Sequence, residues 1–295
     1  MKTLQLFFIF IFSVSFSQEN TIFDRLSALN NNGKIWYNID GYSVTSETFN
    51  TAFDEKGLKK IFRKHQIQES DAKVKNNQIR YNNLSVTKKQ KITDDNFQTD
   101  TYYVVETPDK KTNVIWFIKN GTPDKKTEEQ LVNAIIDNNI PDQNFVSMEI
   151  GSIDFAGRSV ELGNRCYWTF LNTVQCPYSG EMNWSIHRTL QDAKESVENQ
   201  LNVTKSRKGG KVTSEELVDL QFEGVPTKAK KVVYDFTGLT SALAGMSGGK
   251  SLTIYYIAEN IRNKNVSCVM SFWNNDQINS ETKLPALLEK FITVN

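Results

Sequence analysis

Between Gly238 and Ser251 the chain carries two spacings that elsewhere do chemistry. Ala244-Gly245-Met246-Ser247-Gly248-Gly249-Lys250-Ser251 fits a loose phosphate-loop pattern, in which backbone amides and a helix N-terminus hold phosphates while Lys250 and Ser251 reach phosphate and magnesium. Gly245-Met246-Ser247-Gly248-Gly249 also fits the nucleophile elbow of serine hydrolases, with Ser247 as nucleophile. Both patterns need a helix directly after the loop, whereas Leu252 to Glu259 reads as a strand. The elbow further asks for a histidine downstream, and the chain's two histidines, His65 and His187, both precede Ser247. Because a triad is defined by geometry rather than chain order, Ser247 with His187 stays open as a catalytic pairing. Neither histidine lies in a metal-ligand spacing, so no metal and no cofactor are expected. Leu239, Leu243 and Met246 are too apolar for a merely solvated loop. Together with Ser247 and Lys250 they read as a surface for a ligand or partner, or as a turn that packs down. The tryptophans, Trp36, Trp116, Trp168, Trp184 and Trp273, fall mostly in strand-like stretches, where core packing is expected. A strand-borne ring on an open face would instead stack on a sugar, which keeps a glycan-binding module as an alternative.

The chain ends bound where this chemistry takes place. Met1-Lys2-Thr3-Leu4-Gln5 followed by Leu6 to Phe12 has the basic start and short apolar run of a secretory signal, and Ser15 and Ser17 suit a cut before Gln18. No later stretch is apolar enough for a membrane span. Losing Lys2 takes the formal charge from +1 to zero, which argues against nucleic acid as a partner. Export, periplasmic or secreted, permits a disulfide. A hairpin whose three-residue loop centres on Leu171 would set Cys166 opposite Cys176 and close one, while Cys268 alternates with Val266, Met270 and Phe272 as a buried thiol.

The elements that must position these residues follow from periodicity. Ile22, Phe23, Leu26 and Leu29 predict a short helix stopped by Asn30-Asn31-Asn32-Gly33, then a strand near Lys34 to Ile39. Leu58, Ile61, Phe62 and His65 share one face of a helix from Glu55 to Gln66. Period-two strands run near Leu84 to Ile92, Asp100 to Thr107 and Thr112 to Lys119, before a helix opened by Thr127-Glu128-Glu129-Gln130. In the second half, strands lead to a helix capped by Thr189 and Asp192. Further strands follow, and a closing helix would bury Leu284, Leu287, Leu288, Phe291 and Ile292. An offset of 153 sets Tyr102-Tyr103 on Tyr255-Tyr256 and Leu131 on Leu284. The expected fold class is α+β: two similar domains, each an antiparallel sheet packed with helices, as a tandem duplication. The expected division is a signal peptide at 1–17 and domains at 18–141 and 142–295.

Trp184 to Leu201 and Tyr255 to Ile292, a strand into a capped helix, antiparallel strands and a closing helix, resemble the PsbP-like fold. The resemblance covers about half of the second domain and carries no family motif. It implies an accessory protein that binds or assists assembly rather than catalyses. The expected function is an exported, non-enzymatic binding or assembly-accessory protein, with a protein or small ligand of the cell envelope as partner. An exported serine hydrolase using Ser247 is the catalytic alternative.

Overall fold

The computed structural model describes residues 21–93, 96–163, 165–238 and 249–294. Sixteen strands and three α-helices are found among them, and every pair of adjacent strands is antiparallel. The α+β expectation is therefore corrected: the molecule is built mostly of antiparallel sheet and is closer to all-β, with only three α-helices among the described residues. The first sheet holds β1 (Ser27–Asn31), β2 (Lys34–Ile39), β3 (Tyr42–Phe49), β4 (Asn83–Lys91), β5 (Phe97–Glu106) and β6 (Thr112–Asn120), in the order β1-β2-β3-β6-β5-β4. A small hairpin, β7 (Ser152–Phe155) and β8 (Arg158–Glu161), follows.

The largest sheet is made by β9 (Tyr167–Phe170), β10 (Thr173–Cys176), β11 (Gly180–His187), β12 (Gly210–Phe222), β13 (Val225–Phe236), β14 (Ser251–Ile261), β15 (Lys264–Trp273) and β16 (Ile292–Val294). Its order is β16-β12-β13-β14-β15-β11-β10-β9. In both large sheets a three-strand meander leaves through a helix and returns strand by strand onto its own third strand. Tyr102 in β5 and Tyr255 in β14 hold the same place in these two orders.

Two expected helices are replaced, each for a local reason. Asn32-Gly33 is not a helix stop but the tip of the β1–β2 hairpin, with both residues at positive φ (48° and 82°). Asn-Gly favours that turn more strongly than four apolar residues favour a short helix, so Ala28 and Leu29 are buried from a strand. The closing segment keeps its buried side chains, Leu284, Leu287, Leu288, Phe291 and Ile292, but only Leu288–Lys290 forms a helical turn, of the 3-10 type. Ile292 to Val294 instead pairs with Leu220 to Phe222, because the edge of β12 offers backbone partners that a single helical turn lacks.

The three α-helices form close to the expected stretches, but the expected cap is found only in the third, and the capping box expected at Thr127 is replaced by Asp124. α1 (Glu55–Lys64) is capped by Asp54, and α2 (Lys125–Ile136) starts two residues before Thr127 because Asp124 accepts from the Lys126 and Thr127 amides. α3 (Leu190–Ser206) carries the full Thr189–Asp192 capping box. In the first sheet one face packs α2 through Tyr37, Tyr42, Phe117 and Leu131, and the other packs α1 through Ile61, Tyr102 and Val104. α3 lies on the second sheet through Leu201, Val232 and Tyr256. The opposite face of that sheet holds the largest core, around Phe155, Trp184, Phe222 and Met270.

Cys166 and Cys176 form a disulfide and Cys268 is a buried free thiol. The hairpin between the paired cysteines has a two-residue tip, Leu171-Asn172, rather than three. A bulge at Thr173/Val174 restores the register that sets the cysteines opposite each other. The bond hints at an oxidising environment. No helix among the described residues is long and apolar enough to cross a membrane.

Candidate functional site

The β2–β3 hairpin turns on Asp40-Gly41, a second two-residue turn with both residues at positive φ (48° and 77°). It drives the end of the first sheet into the second half of the chain. The Asp40 amide donates to the Ile186 carbonyl at 3.1 Å, and the Gly41 amide to Ser185 Oγ at 2.8 Å. A Cβ on Gly41 would lie 3.0 Å from Ser196 Oγ and 3.2 Å from His187 Cε1, so only glycine fits here without displacement. Around this contact lies a polar cleft of about 1160 Å³, walled by the end of the first sheet, the start of α2, the end of β11 and the first turns of α3.

On the α2 side the cleft is charged. Arg25 grips Asp40 through two bonds of 2.9 and 3.1 Å, and the Arg188 guanidinium lies 3.3 Å from Asp124. Burial works against the Asp124 carboxylate, but bonds from Thr127 and the charge of Arg188 hold it below the usual range. The Lys119 ammonium sits 4.4 Å above the Tyr42 ring and has no hydrogen bond or ion pair among the described residues. Burial lowers its pKa, with Asp40 and Asp124 opposing. Beneath it, the Tyr103 hydroxyl donates to Glu128 at 2.9 Å, and burial pushes the Glu128 carboxyl up.

On the opposite side of the first sheet the cleft is lined by amides and hydroxyls. Strand alternation sends Asn38, Ser43 and Asn120 to one face, and Asn96 leads into β5 beside them. The side-chain amides of Asn38, Asn96 and Asn120 line this side, and their oxygens are buried with no hydrogen-bond partner among the described residues. Unsatisfied buried acceptors are costly, so a ligand that turned these amides toward the cleft would relieve that cost.

Of the residues singled out from the sequence, Leu239, Leu243, Met246 and Ser247 lie outside the described residues, as does the 1–17 segment. Lys250 is exposed, its amide bound to Asn274 Oδ1 at 2.8 Å. His187 is 3% exposed behind the cleft, with Nε2 2.8 Å from Ser267 Oγ and Nδ1 without a partner among the described residues. Burial lowers its pKa to about 4, so the ring is neutral at pH 7. His187 faces Asn265 at one end of β15 and Leu252 faces Trp273 at the other, with roughly 26 Å of strand between. His65 caps α1 at the edge of an apolar face, its ring packed edge-on to Phe49 and Tyr102.

Sequence reasoning missed the cleft because its walls come from segments far apart in the chain. The one local signal was Asp40-Gly41 between alternating apolar residues, a hairpin tip that must project somewhere. Among the described residues no group of three histidine, cysteine or acidic side chains could hold a metal ion.

No protein-family model matches the chain, and no curated protein matches it. Among solved structures it is similar to DynU16, a protein of the dynemicin biosynthetic locus, at 8% identity over 86% of this chain and 78% of that one, with a TM-score of 0.18. The di-domain ARO/CYC proteins StfQ, of the steffimycin pathway, and BexL, of the BE-7585A pathway, each match at 11% identity with a TM-score of 0.15. StfQ is covered over 74% and BexL over 76% of its length, by 92% and 86% of this chain. Superpositions this poor define no common fold.

Proposed function

We propose that this is an exported, non-enzymatic binding protein of the cell envelope whose ligand site is the cleft between the two sheet-bearing halves. The carrying observation is that Asn38, Asn96 and Asn120 line a cleft of about 1160 Å³ with amides whose oxygens have no partner among the described residues, across from the Lys119 ammonium, which there meets only the Tyr42 ring. Such a site wants a small polar ligand offering both donors and acceptors. His187 is neutral and bonded to Ser267, and among the described residues its second nitrogen meets no carboxylate to orient it. The disulfide is in keeping with an oxidising compartment, and the sequence's signal-like start with export.

A thermal-shift screen of small polar compounds against the mature chain tests the reading. Compounds that raise the wild-type midpoint are expected to lose their effect in Asn120→Ala and Lys119→Met, since binding to the folded state alone stabilises it. Turnover of an ester or peptide panel that disappears in Ser247→Ala or His187→Ala would instead make the protein a hydrolase and end the binding-protein reading.

A further inference from the structure

The amide-lined side of the cleft does not stop at Asn38. Two residues along β2 and β3 on the same face, Trp36 and Thr45 are paired, and Thr45 pairs in turn with Trp116 of β6. The adjoining row is Asn38, Ser43 and Ile118. The face therefore reads as a mixed row of Asn38, Ser43 and Ile118 and, about 7 Å further along the strands, an aromatic row with a small residue at its centre. Trp36 stacks on Phe170 at 4.9 Å and Trp116 on Tyr102 at 5.5 Å, which fixes both indoles from behind or beside. A second cavity of about 400 Å³ sits over this row. Past it, Lys64 bonds Glu47 at 2.7 Å and Lys34 approaches the same carboxylate at 3.7 Å, two ammonium groups sharing one carboxylate. From the Lys34–Glu47 row to the Asp40 turn the strip is roughly 20 Å long.

We infer that the ligand of this face is an oligosaccharide, one part held by the amides of Asn38, Asn96 and Asn120 and the rest laid between Trp36 and Trp116 over Thr45. The inference rests on the cleft being the ligand site. Two features select this class. Flat indoles suit the C–H faces of sugar rings, while side-chain amides and hydroxyls suit their hydroxyl groups. An extended peptide would look for an open strand edge, and β2, β3 and β6 are each paired on both sides.

The test is a titration of the mature chain, read by tryptophan fluorescence and calorimetry. The probes are soluble oligomers, disaccharide to hexasaccharide, of β-1,4-linked glucose, β-1,4-linked N-acetylglucosamine and α-1,4-linked glucose. Affinity should rise with length in at least one series and level off once the strip is filled. Trp36→Ala should weaken the longest binder about tenfold and remove the dependence on length, while Asn38→Ala should weaken every length. Thr45→Arg, which plugs the strip from a partly exposed position, keeps the test valid should Trp36→Ala fail to fold. Oligosaccharide binding indifferent to Trp36 and Thr45 would overturn the strip. The saccharide class falls if no oligomer binds while another compound from the polar screen binds and responds to Asn120→Ala, or if an extended peptide binds with tryptophan dependence; the cleft reading then stands. Binding of nothing that depends on cleft residues would overturn both.

Discussion

At the scale of single residues, His187 shows how burial turns a reactive side chain into a structural one. Its neighbours pull in both directions, Asp40 favouring the charged ring and Lys119 opposing it, but loss of water dominates and leaves the pKa near 4. A histidine lowered from 6.5 in the folded state binds fewer protons than it does unfolded. Its contribution is therefore complete above pH 6.5 and is lost as pH falls towards 4. Glu128, raised by burial, acts with the opposite sign on the acid side, so a comparison of variants is needed to separate the two. In His187→Gln the melting temperature should fall less between pH 7 and pH 4 than in wild type, and equal slopes would show that the ring is hydrated in solution. Glu223 illustrates the alternative for a buried charge: its side chain, 2% exposed, is bound by both Arg158 and Arg262 and so stays paired.

At the scale of elements, turn chemistry outweighed helix periodicity. Asn32-Gly33 and Asp40-Gly41 made consecutive hairpins of β1, β2 and β3, and the second tip became the contact between halves. The Cys166–Cys176 hairpin obeys the same logic with a covalent addition. Ten residues separate the cysteines, and closing a loop of that size is worth roughly 2–3 kcal/mol through the unfolded chain. Reduction, or the Cys166→Ser/Cys176→Ser pair of substitutions, should lower the unfolding free energy read from a urea titration by that much. Trp36 fluorescence should also shift, because Phe170, its stacking partner, lies within the bridged hairpin. A stability loss without that shift would mean that the ring contact does not need the bridge.

At the scale of the whole molecule, the two halves meet through small residues, side-chain amides, the Arg188–Asp124 ion pair and the Trp36–Phe170 stack rather than a shared apolar core. Gly121, at φ +100°, would place a Cβ 2.5 Å from Asn199 Nδ2, and that amide donates to the Asn120 carbonyl at 3.2 Å. Asn96 reaches the Asn199 carbonyl from β5 at 3.3 Å. Gly121→Val is expected to cost about 1–3 kcal/mol and to loosen α3 from the end of β6. Hydrogen exchange should then speed up around Asn120 and Asn199 while the sheet interiors stay protected. Unchanged exchange there would show that α3 is held by its own sheet alone.

Much of this was legible in the chain itself. The strands near Lys34, Leu84, Asp100 and Thr112, the capped helices at Glu55 and Thr189, the disulfide and the buried Cys268 all follow from patterns within a dozen residues, where local sterics and alternation decide the outcome. The α+β expectation failed where local signals conflict: four apolar residues before Asn32-Gly33, and five after Leu284, fit a helix as well as they fit a strand or an irregular cover. Strand pairing settled both, and pairing is a long-range property. The site lay further from reach. Asn38, Asn96, Asn120 and Lys119 are ordinary polar residues in sequence and become a site only when Asp40-Gly41 docks on β11 and α3, because a cleft is made by the separation of surfaces that no spacing along one chain encodes.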